Sequence, residues 1–517
     1  MILRNLPSYD SERVRTLVSE GLEELGLAPR GRVLVKPNLV MAGELFRHAY
    51  TRPEVTQGVL EALAARGGAA IEELAVGERS GITIPTRYVF EQAEYGAVLR
   101  RTGAKHYFFD EVQQVEVPLT HAGRLRDSIF VPEPVARADF FVNVPKFKAH
   151  PWTTVTFSLK NYIGIQDDRH RLIDHDYALG RKVADLQHVV QPELVVIDAV
   201  TAGQGRMLTP VPYPLGLLVI GNNQVAVDAV CCRIVGLHPL DVEHIRLAHE
   251  DGFGPVDGVT VSGDVSPEEA RERAKDFQIG LVRVEKYFEG THITAYAGPP
   301  PGGSDGYCWG GCPGALEEAI EVLRVYDQEC DAKMARLHVV FGDYQGPLEL
   351  GYGEKVVFVG DCVSYHGSVG GELVSVESLY RDRSTLDPAL ATHPDIYLKM
   401  VSVLRKVEEA KNRPFLRLEG CPVSVAELIL ALSILGGVNN PYLSPQEAVR
   451  FTRHYVRWRL AQSAQRLQGK PYLVRDFDER GEAQPTLDAP TTRAAQADAA
   501  QPTGVSASGT RPNGSSD

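Results

Sequence analysis

SERVRTLVSEGLEELGLAPRGRVLVKPN, residues 11–38, decides how the chain is read. From Ser11 to Leu25 apolar residues recur at helical spacing, and Gly26 supplies a stop. Arg32 to Val35 then read as a short buried strand ending in Lys36-Pro37-Asn38. The helix-then-strand rhythm continues, with a helix from Pro53 to Ala65 that carries proline in its first turn and a strand from Ile71 to Val76. Further strands are expected at Phe140–Val144, Leu194–Ile197 and Leu217–Ile220, each apolar throughout, as strands covered on both faces are. The expected fold class is α/β, with mainly parallel sheets.

A chain of 517 residues exceeds what one hydrophobic core usually organises, so more than one domain is expected. The clearest boundary is YAGPPPGGSDG, Tyr296 to Gly306, because three prolines followed by glycines propagate neither helix nor strand. Beyond it the alternation resumes: a helix from Ala315 to Tyr326, strands at His338–Phe341 and Lys355–Val359, and a helix from Val423 to Leu435. Residues 445–468 form one amphipathic helix, rich in arginine and aromatics, suited to packing across a domain surface. From about Asp478 the composition turns to Ala, Thr, Pro, Ser and Gly, a disordered tail. The expected division is an α/β domain over 1–295, a second over 306–440, a C-terminal helix over 441–477 and the tail over 478–517.

With 54 basic against 67 acidic residues, a net charge of −13, nucleic acid is not an expected partner. The N-terminal stretch carries Asp10 and Glu12 and lacks the features of a secretory signal. The longest apolar run, Ala426 to Val438, contains Glu427 and is too short to span a bilayer. A cytoplasmic protein without a membrane partner is expected. In that compartment seven cysteines read as free thiols or cluster ligands rather than a disulfide framework.

Four of the seven stand in GYCWGGCPG, GDC and EGCPV: Cys308, Cys312, Cys362 and Cys421. Glycine or proline lies beside each or one residue away, which suits tight loops whose backbone approaches an inorganic cluster. Cys362 follows a strand and Cys421 precedes a helix, and the carboxyl ends of strands in open sheets are where ligands gather. The plain alternative is four buried small hydrophobes. Structural zinc usually takes two close cysteine pairs, and only one such pair is present. Cys231, Cys232 and Cys330 lie in helical contexts and read as core.

A second constellation lies in NVPKFKAHPWTTVTFSLKNYIGI, Asn143 to Ile165, which places Lys146, Lys148, His150, Lys160 and Asn161 in an apolar, loop-rich surrounding. Buried lysines need partners, and a small carboxylate or phosphate supplies one. Lys36, Asn38 and Arg52 add donors. Lys36, Lys146 and Lys160 are expected to converge on one anion, with Lys160, His150 and Asp198 as candidate catalytic groups; solvent exposure or pairing with Asp and Glu is the alternative for each lysine. Asp198 and Asp228 also suit capping or turn roles.

VLVKPNLV, TRPEV, NVPKFKAH…SLKNYIGI, VVIDAV and VAVDAVCCRIVGLHP resemble, over residues 30–265, the family catalogued as domain of unknown function 362. That family is commonly joined to compact ferredoxin-type iron–sulfur modules; this chain has no CxxCxxCxxxC run, so a cluster here is of a dispersed kind. Over residues 306–440 the cysteine motifs resemble the proximal-cluster domain of hydrogenase small subunits and the related complex I small subunit. That resemblance implies a 4Fe-4S cluster on Cys308, Cys312, Cys362 and Cys421, although the first pair is C-x3-C where hydrogenases usually show C-x2-C. TRPEV and the lysine-rich segment are faintly similar to the amino-terminal domain of nickel-pincer lactate racemases, by which His150 or Lys160 would touch cofactor or substrate.

GxxxxGK[ST], HExxH, GxSxG and a strand-linked GxGxxG are all absent, which removes support for ATP use, zincin, α/β-hydrolase and Rossmann dinucleotide chemistry. The leading expectation is an iron–sulfur oxidoreductase acting on an anionic small molecule, with a redox partner protein as donor or acceptor. The rivals are a non-redox isomerase or racemase with a structural cysteine site, and an electron-transfer or assembly subunit.

Overall fold

The computed structural model describes residues 1–467 except 83, 168–170, 172, 173, 176, 177, 281, 302–305, 310, 381–395 and 441–443. The expected tail and the end of the expected C-terminal helix lie outside the described residues.

The larger sheet runs in the order Ser262–Gly263, Ile2–Asn5, Leu217–Gly221, Leu194–Gln204, Phe140–Val144, Gly31–Pro37, Ile71–Glu78, Lys105–Phe108. From Leu194–Gln204 to the Lys105–Phe108 edge every pairing is parallel. Leu217–Gly221 runs antiparallel to both its neighbours. The apolar runs occupy buried positions, as strands with both faces covered require. Helix Ser11–Glu24 is capped by Asp10, whose Oδ1 accepts from the backbone N–H of Glu12 (2.9 Å) and Arg13 (3.2 Å). It packs against Pro53–Gly67.

The segment read as loop-rich is more regular than expected. Lys146–His150 is a strand that pairs with Leu194–Gln204, placing Lys146 opposite Asp198 and Lys148 opposite Gly203. Leu159–Ile165 is a 3-10 helix. Backbone pairing across a sheet supplies partners that alternating polar and apolar residues in a single chain do not reveal.

The second sheet is four-stranded and wholly parallel: Ile293–Ala297, Leu337–Phe341, Lys355–Val359, Phe415–Leu418. Its first strand precedes the proline-rich stretch. Helices Cys312–Arg324 and Val425–Gly436 pack together against it, the second opened by a Ser424–Glu427 capping box. One hydrophobic core joins the two parts, running from Val14 and Val33 to Leu316 and Val357. The helix Pro445–Leu467 crosses back to the first part, where Tyr88 donates to Glu447 (3.1 Å), Arg453 and His454 meet Glu91, and Trp458 Nε1 donates to the Asp110 carbonyl (3.3 Å). Among the described residues no helix is long and apolar enough to cross a membrane.

Candidate functional site

Parallel pairing sets neighbouring strand ends side by side, and that register decides the fate of the buried lysines. Lys36 ends one strand and Glu78 ends the next; the ammonium sits 2.8 Å from Glu78 Oε1 and also donates to Asn161 Oδ1 and the Pro37 carbonyl (3.2 Å each). Lys146 lies 2.9 Å from Asp198 Oδ2 and donates to Tyr9 Oη at 2.8 Å. Burial works to lower the Lys146 pKa, but Asp198 and Tyr9 outweigh it and the net shift is upward. Both ammonium groups are thus met by carboxylates of the protein. The expected convergence of Lys36, Lys146 and Lys160 on one anion is not what these side chains do.

The other expected donors divide in the same way. Arg52 pairs with Glu54 at 3.2 Å and lies over the Tyr9 ring, while its backbone N–H donates to Asp198 (3.0 Å). Asn161 Nδ2 donates to Asn143 Oδ1 at 2.7 Å. Asn38 Oδ1 is buried and has no hydrogen-bond partner among the described residues. Asp198, expected as an acid–base group, is the counter-charge of Lys146.

Lys160 is different. It is 8% exposed, and among the described residues it has neither a hydrogen-bond nor an ion-pair partner. Burial pushes its pKa down to about 7, helped by Lys148, Arg171, Lys182 and Lys36, which are all cations. Lys148 is held by two carbonyls, Ala49 (2.7 Å) and Met207 (2.9 Å), and burial brings it down to about 7 as well. The 3-10 helix that carries Lys160 is anchored by Asp228, whose carboxylate accepts from the Ser158 N–H (2.8 Å), the Ser158 hydroxyl (2.5 Å) and the Leu159 N–H (2.9 Å). Three histidines complete the surroundings. His150 Nδ1 accepts from the backbone N–H of Trp152 (3.0 Å) and Thr153 (3.3 Å), so the ring proton of its neutral form sits on Nε2. Burial and the neighbouring lysines hold His150 and His175 well below the ordinary histidine value, and His244 is brought down to about 3. His244 Nε2 is buried with no hydrogen-bond partner among the described residues. Among the described residues the surroundings of Lys160 are thus neutral imidazoles and the cations Lys148, Arg171, Lys182 and Lys36, the last of them paired with Glu78.

The four cysteines come together at the carboxyl ends of the second sheet, the end where ligands gather in such folds. Cys308 lies in the loop after Ile293–Ala297, Cys312 opens the helix Cys312–Arg324, and Cys362 and Cys421 follow the strands Lys355–Val359 and Phe415–Leu418. Burial raises the Cys312 pKa, and Cys362, Cys421 and Cys308 all add to the rise. Val423 N–H donates to Cys312 Sγ at 3.3 Å, as backbone groups do around ligating sulfur. Asp361 ties two of the loops together, its Oδ1 accepting from Gly420 N–H at 2.7 Å. Gly360 has φ +104°, and a Cβ there would stand 3.1 Å from Cys312 Sγ and 3.8 Å from Cys362 Sγ, so glycine lets the backbone approach the thiols where a side chain would crowd them.

Tetrahedral zinc, with Zn–S near 2.3 Å, sets its sulfurs roughly 3.8 Å apart. Among the described residues the one group of three or more donors all within 4.8 Å of one another is His121, His188 and Asp251, so the thiols are spread more widely than a single ion requires. At that histidine pair the rings stack at 3.5 Å, His121 Nε2 faces Asp185 and His188 Nε2 faces Asp251. Arg181 bonds both carboxylates, so they already carry a cation.

The cysteine loops and the lysine cluster share a wall. In the helix opened by Cys312, Glu318 is fully buried and accepts from the N–H groups of Met207 (2.6 Å) and Leu208 (3.2 Å); the Met207 carbonyl holds Lys148. Arg206 pairs with Glu317 of the same helix. Trp152, whose ring centre is 5.6 Å from that of His150 and 5.0 Å from that of His175, presses its indole N–H against Gly314, where any side chain would collide. Glu78, Arg171, Lys182, His175, His244 and Glu318 were not among the residues expected from sequence. Only Glu78 carried a signal there: like Lys36, it is a polar residue at the end of an apolar strand.

Residues 33–233 match the model of a family described as Domain of unknown function (DUF362). That span bears out the resemblance read from the N-terminal motifs, and it includes Lys36, Lys146, Lys160 and Asp198. The thylakoid-associated protein sll1697 of Synechocystis sp. (strain ATCC 27184 / PCC 6803 / Kazusa) is 23% identical over 268 residues, covering 48% of this chain and 78% of that protein. Among solved structures, the lactate racemase apoprotein from Thermoanaerobacterium thermosaccharolyticum aligns with a TM-score of 0.32 at 10% identity, covering 66% of this chain and 68% of that one.

Proposed function

We propose that the protein is an iron–sulfur oxidoreductase acting on a small anionic molecule held at the Lys160 cluster. One observation carries the reading: four cysteines gather at one end of a parallel sheet, and the helix opened by one of them forms a wall of the lysine cluster. Thiols spread beyond single-ion spacing, an N–H directed at sulfur and the close backbone approach that Gly360 allows fit a 4Fe-4S cluster on Cys308, Cys312, Cys362 and Cys421. Such a cluster, when bound, supplies one-electron transfer. The chain's own part is to hold the anion: Lys160 and its cationic neighbours favour negative charge, and the neutral histidines supply N–H donors. A carrier or assembly subunit would have no use for a buried lysine that has no partner among the described residues.

A second reading, a non-redox isomerase with a structural cysteine site, draws on the neutral His150 beside a lysine brought down to about 7, a pair suited to proton transfer. Electron paramagnetic resonance of anaerobically purified protein, before and after dithionite and with oxalate as the anion, separates the two. The redox reading expects a signal that appears on reduction and changes shape with oxalate in the native protein but not in Lys160→Met. A cluster that dithionite does not reduce favours the isomerase. A reducible cluster indifferent to oxalate contradicts a substrate site beside it.

A further inference from the structure

We propose that Lys160 is a nucleophile that forms an imine with the carbonyl carbon of a small 2-oxo acid, whose carboxylate is held by the surrounding cations. The inference rests on reading the Lys160 cluster as an anion site and adds the chemical class of the anion.

Geometry separates Lys160 from its neighbours. Lys36 and Lys146 are tied to Glu78 and Asp198, and Lys148 is held by two carbonyls; among the described residues Lys160 alone of these four lysines has no partner. Asp228 fixes the backbone on its N-terminal side, so the amine is carried on a rigid turn. A desolvated lysine beside other cations is a recognised way to obtain a free amine at neutral pH, and the position near 7 agrees. Those cations also favour a carboxylate, which makes an oxo acid a better match than a neutral ketone.

The step balances without an oxidant or reductant. The nitrogen lone pair forms the C–N bond, the carbonyl oxygen becomes the hydroxyl of a carbinolamine, and that oxygen leaves as water with both amine protons. Both protons pass from the nitrogen to the departing oxygen, and His150, neutral with its proton on Nε2 and near enough to Lys160 to feel its charge, is the N–H that would polarise that oxygen.

The test uses the full-length protein as purified anaerobically, incubated separately with glyoxylate, pyruvate and 2-oxoglutarate in the presence of cyanoborohydride, followed by peptide mapping. The expected result is one dominant adduct, at Lys160, whose mass gain is that of the free oxo acid less one oxygen. It forms at least tenfold faster than adducts at exposed lysines such as Lys275, and oxalate suppresses it. Mapping on the native chain needs no variant to fold. If calorimetry detects oxalate binding but none of the three acids labels Lys160, the imine is overturned while the anion site stands. If oxalate neither binds nor protects, and labelling is spread over surface lysines, both fail.

Discussion

Lys36 and Lys160 are both buried lysines of one region, and they differ in whether a carboxylate stands beside them. Glu78→Gln leaves the Lys36 ammonium buried without its counter-charge, and breaking a buried pair by removing one partner costs about 3–5 kcal/mol. Urea unfolding is expected to show a lower midpoint with an unchanged slope. Lys160→Met should do the reverse, leaving stability level or raised, because it removes a charge that has no partner among the described residues. The pH dependence distinguishes them further. The fold depresses the Lys160 pKa from 10.5 to about 7, so between those values the unfolded chain binds a proton that the folded chain does not. Stability from this group therefore rises with pH from about 7 to 10.5 and is lost as pH falls towards 7. The native protein should show a slope steeper than Lys160→Met by up to roughly 1.4 kcal/mol per pH unit in that window. Equal slopes would mean that Lys160 stays protonated in the fold. The sequence made the burial of Lys36 and Lys146 legible, but their partners Glu78 and Asp198 lie 42 and 52 residues away and depend on strand register, which a single chain does not display.

At the scale of elements, apolar runs such as Phe140–Val144 and Lys355–Val359 were readable because both faces are covered. Ile2–Asn5 and Phe415–Leu418 were not: they are four residues long, and their pairing comes from distant chain. The Phe415–Leu418 strand matters because it delivers Cys421 to the same sheet end as Cys362. In the loop that follows Lys355–Val359, Gly360→Ala puts a side chain into left-handed backbone, at about 1–2 kcal/mol, and against Cys312 Sγ. The variant is expected to fold with a lowered melting temperature and to lose most of its bound iron; full iron retention would show that this face of the thiols holds nothing. The helix Pro445–Leu467 is anchored by Trp458, which is 1% exposed. Trp458→Ala should cost about 3–5 kcal/mol in denaturant unfolding. A change below 1 kcal/mol would mean that the helix contributes little to the fold.

At the scale of the whole molecule, the α/β class and the alternation of elements followed from the sequence, whereas the shared wall between the two parts did not. That wall depends on Glu318 meeting the backbone of Met207 and Leu208, a contact 111 and 110 residues apart in the chain. If the cysteine end and the lysine end form one apparatus, electron transfer in it depends on the four thiols holding a cluster. The direct measurement is iron and acid-labile sulfide per chain after anaerobic purification, for the native protein and for single Cys→Ala variants. A cluster on these thiols gives equal amounts of iron and sulfide in the native protein, sharp loss on changing Cys312, Cys362, Cys421 or Cys308, and no loss on changing Cys231, Cys232 or Cys330. Native protein that is pure and folded but carries neither iron nor sulfide would contradict it.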